Sequence, residues 1–201
     1  STQDLLGVFK ELGYEIKLIA STELTPQGLD VRVGPCMLDE HHPLASVEGV
    51  YNAVFVEADP VGSTMFYGRG AGGNPTSSAV MGDIISCATQ NVLGGLKHPI
   101  FSGILNDHIS LAEYGNPSCF AIRVWAEDKP GVLAKIAGVL GKHNISIATV
   151  IQKNIEGSQW VPVFITTHMA AEKNMIDAVA EINGIKAEAH LKESPFIMRI
   201  L

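Results

Sequence analysis

The stretch EDKPGVL, residues 127–133, joins an apolar strand to an amphipathic helix through a tight turn. Upstream of it, residues 120–125 alternate large apolar side chains with small or polar ones, as a half-buried strand does. Downstream, apolar side chains recur at helical spacing between Val132 and Leu140. The stretch therefore predicts strand, turn and helix in that order.

The predicted turn has the chemistry to hold a carboxylate. Pro130 has no backbone N–H and suits a position where the first donors of a helix are unpaired anyway. Gly131 lets a ligand approach the free N–H groups at the positive end of the helix dipole. A small amino acid would place its carboxylate there, and an oxygen of Asp128 or Asn144 would accept from its ammonium group. The predicted effector-binding residues are Asp128, Gly131, Val132, Leu133 and Asn144.

The residues that follow predict three more strands and a second helix. Residues 144–151 and 160–166 have strand patterns on either side of a turn at 156–158. An apolar stripe over residues 175–182 predicts a helix that ends at Asn183-Gly184, and residues 186–191 alternate as a last strand. The order is βαββαβ, the split-βαβ arrangement.

This half of the chain, residues 117–201, resembles an ACT domain, and the resemblance is carried most specifically by residues 128–144. It implies a ferredoxin-like fold that senses an amino acid. A ferredoxin-like fold with no ligand is the alternative, because a fold alone does not define a function.

Composition sets limits on the class of protein. With 46% hydrophobic and 17% charged residues, the chain can form one large or two small cores. Its apolar runs fall short of the roughly 20 residues that span a membrane, and its start lacks the pattern of a signal peptide, so we expect a cytoplasmic protein. The net charge of −7 argues against nucleic acid as a partner.

Charge also divides the chain. Residues 1–115 carry 5 basic and 13 acidic side chains, whereas residues 116–201 carry 9 and 8. The change falls beside Tyr114-Gly115-Asn116-Pro117, which has the composition of a linker. We therefore predict two domains, 1–115 and 116–201.

The first domain is predicted to be a mostly antiparallel sheet with helices. A short helix over residues 4–12 precedes strands at 14–20 and 29–33, and residues 50–58 are expected to pair with 61–67 across the turn at Asp59-Pro60. The fold class of the whole chain is thus α/β of the α+β kind, with an antiparallel sheet followed by a βαββαβ domain.

A glycine run at residues 67–76 formally satisfies the G-x-G-x-x-G pattern before a predicted helix at 75–90. A complete dinucleotide fold is rejected, because residues 94–99 offer neither the strand nor the acid that this fingerprint needs after its helix. The glycines would still let the backbone approach a flat ligand, and the alternative is a tight turn with no ligand. The helix carries an apolar stripe, which we expect to be exposed, at Val80, Met81, Ile84 and Ile85.

As a whole the chain resembles the C-terminal part of homoserine dehydrogenases that carry one ACT domain. The motifs that carry the resemblance are residues 13–20, 42–54 and, most specifically, 67–84. The resemblance implies that Gly70, Ala71 and Gly72 meet the nicotinamide of NAD or NADP. It also implies interconversion of L-homoserine and L-aspartate 4-semialdehyde by the intact enzyme, with threonine as the foremost effector and a homo-oligomer formed through the sheet and the ACT domains.

The family's lysine acid/base and its homoserine-binding carboxylates would precede residue 1, so no catalytic residue is assigned and the chain alone is expected to be inactive. Adjacent side chains on an extended chain point apart, so His41 and His42 do not predict a metal site. Two alternatives remain open. One is an ACT-type amino-acid-binding regulator that stands alone, and the other is a module that only dimerises.

Overall fold

The computed structural model describes residues 2–92, 109–153, 155 and 157–201. Residues 94–99 and Glu156, on which two of the expectations above fall, lie outside them. The elements are α1 Thr2–Glu11, β1 Tyr14–Thr25, β2 Gly28–Asp39, a 3-10 helix Pro43–Ser46, β3 Tyr51–Ala58, β4 Gly62–Arg69, α2 Gly73–Val92, β5 Cys119–Glu127, α3 Val132–Lys142, β6 Ile147–Gln152, β7 Trp160–Thr167, α4 Glu172–Gly184 and β8 Phe196–Ile200.

These elements form two compact units. The first unit combines the residues up to Asp39 with those from Ile109 to Leu201, and the second runs from Glu40 to His108. The first unit contains a six-stranded sheet in the order β1-β2-β8-β5-β7-β6, and the second contains the hairpin of β3 and β4.

The βαββαβ order predicted for the second half of the chain is confirmed, with antiparallel strands in the order β8-β5-β7-β6. Apolar residues of α3 and α4 pack on one face of these strands, because alternate β5 side chains point to that face. The fully buried members of this core include Ile122, Val124, Ile136, Leu140, Ile165, Ala178 and Ile182.

The last predicted strand, at residues 186–191, is wrong. This segment forms local turns in which Ala189 N donates to Ile185 O and Leu191 N donates to Lys186 O. Ala189 and Leu191 are buried, so their alternation with charged residues reflects turns packed on the core rather than a strand. The strand that completes the domain is β8, which pairs antiparallel with β5 through Cys119 and Ile200.

The hairpin of β1 and β2 extends the sheet of the βαββαβ domain. The pairing of β2 with β8 is parallel and covers Cys36 with Arg199 and Met37 with Ile200. Both strands are longer than predicted, since Thr25 pairs with Gly28 at the turn and its hydroxyl donates to the Gly28 carbonyl at 2.8 Å. The predicted domain boundary near residue 116 stays a prediction. The hairpin of β1 and β2 precedes this residue in sequence, yet β2 pairs with β8, which follows it.

Helix α1 covers the other face of this sheet. Val8 and Phe9 are buried there against Met37, Phe164 and Met198. The Phe9 and Phe164 rings meet edge to face with centroids 5.6 Å apart, a favourable aromatic arrangement. The sheet is therefore covered on one face by α3 and α4 and on the other by the helix that begins the chain.

In the second unit, the predicted pairing of the strands on either side of Asp59-Pro60 is confirmed, from Tyr51 with Arg69 to Ala58 with Gly62. Helix α2 agrees with the helix predicted over residues 75–90 and has no buried residue. Its predicted apolar exposure is also confirmed: Val80, Met81, Ile84 and Ile85 are each exposed by 50% or more.

Candidate effector site and glycine run

The turn at the start of α3 is a type II turn rather than the first turn of the helix. Gly131 has φ 89° and ψ −15°, and Val132 N donates to Lys129 O at 3.4 Å. These values are those of the third residue of a type II turn, where glycine is favoured, and they place Pro130 at the second position, where proline is favoured. The Pro-Gly pair is thus explained by local geometry before any ligand is considered.

The N–H groups that follow are available. Lys135 N donates to Gly131 O at 3.1 Å, so the N–H groups of Leu133 and Ala134 precede that bond along the helix. Gly131 provides no side-chain cap for them. Val132 is buried, with 4% of its surface exposed, whereas Leu133 beside it is 37% exposed. The N-terminal end of α3 therefore presents backbone donors and one apolar side chain, that of Leu133, to solvent.

Asp128 is held next to the end of β6. Its N–H donates to Gln159 O at 3.1 Å, and its Oδ1 accepts from Gln152 Nε2 at 3.0 Å. Asp128 is exposed. A negatively charged hydrogen-bond acceptor and a set of N–H donors thus lie on one short segment, as recognition of an amino acid zwitterion requires.

Asn144 lies at the other end of α3. Its φ is 56°, Asn144 N donates to Gly141 O at 3.0 Å, and Ile145 N donates to Leu140 O at 2.9 Å. This is the Schellman arrangement that ends helices, which accounts for an asparagine at a positive φ. The 11 residues of α3 span about 16 Å, so one small ligand cannot touch both Gly131 and Asn144 of the same chain.

Ion pairs flank the turn. Glu127 Oε1 lies 2.7 Å from Lys129 Nζ, and Glu127 Oε2 lies 2.9 Å from His190 Nδ1. The hydrogen bond from Lys129, together with its positive charge, lowers the pKa of Glu127 from its usual value.

The glycine run lies between β4 and α2. Gly70 N donates to Val50 O at 2.8 Å, and a Cβ on Gly70 would lie 1.8 Å from Asn52 Nδ2, so a side chain here would require the exposed Asn52 amide to move. Gly72 has φ 123°, and its carbonyl accepts bonds from Thr76 N and Thr76 Oγ1 at 3.1 and 2.9 Å, so Gly72 takes the N-cap position of α2. Gly70, Ala71 and Gly72 are exposed.

The surface next to the run is an open depression on α2. Its apolar part comes from Val80 and Met81, and its polar part from Thr76 and Ser77. A flat ligand bound here would be covered on one side only, whereas most of a cofactor's surface is buried in a complete site.

His42 has a local role in its loop. Its Nδ1 accepts from Leu44 N at 3.1 Å and its ring packs on Phe55 with centroids 5.1 Å apart. Among the residues that the structure describes, no group of three His, Cys, Asp or Glu side chains is placed to hold a metal ion. Within the same residues, no helix is both long and apolar enough to cross a membrane.

One polar site was missed by the sequence analysis. Four side chains, which we call the charge cluster, meet in the first unit: Asp30, Arg32, Glu172 and Arg199. A sequence signal existed, because Asp30 and Arg32 share one face of a strand whose other face carries Val31 and Val33. Two charges on one face of a predicted strand suggest a polar partner.

Comparisons with known proteins agree with the fold. A homoserine dehydrogenase family model matches residues 2–85, and an ACT domain model matches residues 120–186. The homoserine dehydrogenase of Neisseria gonorrhoeae is 38% identical over 180 residues, which cover 88% of this chain and 41% of that protein. The enzyme of Helicobacter pylori is 34% identical over 194 residues, with coverage of 95% and 44%.

Among solved structures, the homoserine dehydrogenase of Thiobacillus denitrificans aligns with a TM-score of 0.86 at 30% identity, over 99% of this chain and 45% of that one. The fold and the two matches define a chain that joins an ACT domain to part of a dehydrogenase catalytic region. The chain belongs to the homoserine dehydrogenases and matches their C-terminal part. It spans less than half the length of these relatives.

Proposed function

We propose that this chain is the C-terminal part of an NAD- or NADP-dependent enzyme that interconverts L-homoserine and L-aspartate 4-semialdehyde, in the biosynthesis of threonine, methionine and isoleucine. The similarity to homoserine dehydrogenases over 88–99% of the chain supports this. A cytoplasmic location and the two domains 1–115 and 116–201 remain part of the proposal.

Within this enzyme, the glycine run would form one side of the nicotinamide site. The backbone of Gly70, Ala71 and Gly72 is exposed and carries no side chain larger than a methyl group, so a flat ring can approach it. The cofactor would supply the hydride chemistry, and these residues would bind and orient its ring. The observation that supports this most is the exposed apolar stripe of α2, which a further domain would cover.

The ACT domain would bind a small amino acid, threonine foremost, where two copies of the chain pair. Leu133 N–H, Ala134 N–H and the Asp128 carboxylate of one copy offer matching groups for the carboxylate and ammonium of the ligand. Asn144 lies too far along α3 to join them from the same copy, so it would come from the second copy. The homo-oligomer is therefore part of the same proposal.

Thermal unfolding of the 201-residue chain with threonine, methionine, isoleucine, lysine and serine tests the effector site. A ligand that binds only the folded, paired state raises the free energy of unfolding by about 2.7 kcal/mol at a hundredfold excess over Kd. We expect a rise with at least one of the five. No rise with any of them would remove the effector site and leave only the fold.

A second assay tests the catalytic assignment. The purified chain should not oxidise homoserine with NAD or NADP, because one open depression cannot bury a dinucleotide. Measurable oxidation would contradict the proposal. The coding sequence before Ser1 distinguishes the enzyme from a regulator that stands alone. About 200 preceding residues that open with a strand and a glycine-rich turn would support the enzyme, since that is roughly the size of a dinucleotide-binding domain.

A further inference from the structure

Three side chains stack on one face of the β3–β4 hairpin, at the end that is far from its turn. The rings of Tyr51 and Tyr67 are parallel within 7°, and their centroids lie 4.8 Å apart. The guanidinium of Arg69 lies over the Tyr51 ring, with Cζ 5.5 Å from the ring centroid. Tyr51 pairs with Arg69 across the hairpin, and Tyr67 precedes Arg69 by two residues, so the three side chains share a face. We call them the hairpin stack.

The hairpin stack holds Arg69 in place without using its hydrogen-bond donors. A guanidinium over an aromatic face is attracted to the ring, and its N–H groups lie in its own plane, where they can reach oxygen acceptors. The backbone beside the stack is bonded, because Tyr51 N donates to Glu48 O at 3.3 Å and Gly70 N donates to Val50 O at 2.8 Å. Arg69 is exposed. An exposed cation that is already ordered loses less entropy when it binds a ligand.

The charges in this part of the sequence set Arg69 apart. Residues 40–92 contain a single Lys or Arg side chain, that of Arg69. The same residues contain five carboxylates, at Glu40, Glu48, Glu57, Asp59 and Asp83. A region of net negative charge repels an anionic ligand. An anion that approaches the glycine run would therefore depend on Arg69 for an opposite charge from these residues.

The position of Arg69 relates it to the ligand proposed for the glycine run. Gly70 is the next residue, and consecutive Cα atoms lie about 3.8 Å apart. The backbone of Gly70, Ala71 and Gly72 is where the proposed function places the nicotinamide ring. In NAD and NADP one ribose joins this ring to a phosphate group. A ring at the run therefore brings a phosphate close to the side chain that precedes Gly70.

We propose that Arg69, held by the hairpin stack, binds the phosphate next to the nicotinamide ribose of the cofactor. The planar guanidinium donates two parallel hydrogen bonds to phosphate oxygens, a geometry that the side chain of lysine does not provide. The carboxylate of homoserine is a second oxyanion that a guanidinium could bind. The position next to the glycine run favours the phosphate, and the experiment distinguishes the two. The proposal deepens the proposed function and rests on it.

Steady-state kinetics of the full-length enzyme test this role of Arg69. Arg69→Gln should raise the KM for NAD or NADP by about fivefold or more, because a charged hydrogen bond is lost. It should leave kcat and the KM for homoserine nearly unchanged. Arg69→Lys, which keeps the charge but loses the fork, should lie between Arg69→Gln and the parent. Lys10→Gln is the matched control, because it removes an exposed positive charge that pairs with Glu15 on the first unit.

Two fragments of the cofactor separate a lost phosphate contact from general damage to the glycine run. Nicotinamide mononucleotide and nicotinamide riboside differ by the phosphate alone, and each is added as a competitor of the dinucleotide in homoserine oxidation. In the parent and in Lys10→Gln the mononucleotide should inhibit at about fivefold lower concentration than the riboside. In Arg69→Gln this difference should disappear, with inhibition by the riboside unchanged. A disturbed glycine run would weaken both fragments equally.

The outcomes separate this inference from the proposed function. No homoserine oxidation by the full-length parent would remove both. In an active enzyme, an unchanged cofactor KM in Arg69→Gln, or a mononucleotide that inhibits the parent no better than the riboside, would overturn the phosphate contact alone. An equal loss of both fragments in Arg69→Gln would do the same. A raised KM for homoserine with an unchanged cofactor KM would also overturn it, and would assign Arg69 to the carboxylate of the substrate.

Discussion

Gly70 lies directly against the side chain of Asn52: a Cβ on Gly70 would come within 1.8 Å of Asn52 Nδ2 and 2.6 Å of its Cγ. The Asn52 amide therefore occupies the space that any residue other than glycine would need. The glycine pattern at this point has a packing cause within the hairpin of β3 and β4, independent of a ligand.

Gly70→Ala should destabilise the hairpin by less than about 1 kcal/mol, because the clashing amide is the end of an exposed side chain that can turn away. Combining it with Asn52→Ala should recover most of the loss, because that change removes the clashing amide. Hydrogen exchange of the Gly70 N–H, which donates to Val50 O, measures the local opening. If the double variant exchanges as fast as Gly70→Ala alone, the clash is not the cause.

Gly131→Ala should lower the stability of the chain by about 1–2 kcal/mol even without a ligand, since its φ of 89° is unfavourable for a side chain. No atom lies within 4 Å of the new methyl group, so the cost is one of backbone conformation alone. Gly138→Ala, inside α3 with equally open surroundings, is the control and should stabilise by about 0.5–1 kcal/mol. Equal effects of the two changes in urea unfolding would contradict the type II turn.

Local sequence was a good guide where local geometry decides the structure. The Pro130-Gly131 pair predicted the turn before α3 correctly, and the Asp59-Pro60 turn predicted the hairpin of β3 and β4. Alternation of apolar and polar side chains does not always indicate a strand. At residues 186–191 the buried alanine and leucine side chains belong to turns, so the predicted strand was wrong.

Contacts distant in sequence could not be predicted. The join between β2 and β8 covers only two residue pairs, Cys36 with Arg199 and Met37 with Ile200. Arg32 and Glu172 are 140 positions apart, and nothing in either local pattern identifies the other as its partner. The separation of Gly131 from Asn144 likewise became evident only from the length of α3.

Acid should destabilise the parent more than Glu172→Gln. The hydrogen bonds from Arg32 and Gly115 lower the pKa of Glu172 to about 2 from an ordinary value near 4.5. A carboxyl group with a depressed pKa contributes stability above its unfolded pKa and loses it as the pH falls towards its folded pKa. We expect about 1–2 kcal/mol to be lost between pH 4.5 and 2 in the parent, after allowing for solvent screening. Urea unfolding at several pH values measures it, and identical pH profiles would contradict it.

Phe9→Ala should detach α1 from the sheet. Phe9 is 1% exposed and meets Phe164 edge to face, so its loss should cost about 3–5 kcal/mol. Phe9→Leu keeps most of the volume and should cost less than about 2 kcal/mol. Denaturant unfolding compares the two variants. A small effect of Phe9→Ala would mean that α1 contributes little to covering this face.

Calorimetric titration of the 201-residue chain with L-threonine tests the central claim, that an ACT domain in a homoserine dehydrogenase chain binds an amino acid at its type II turn. We predict saturable binding of L-threonine, no binding of D-threonine, and weaker binding of L-threonine to Asp128→Asn, which keeps the Gln152 contact but loses the charge that pairs with ammonium. Equal heats for the two enantiomers, or unchanged affinity in Asp128→Asn, would contradict the claim.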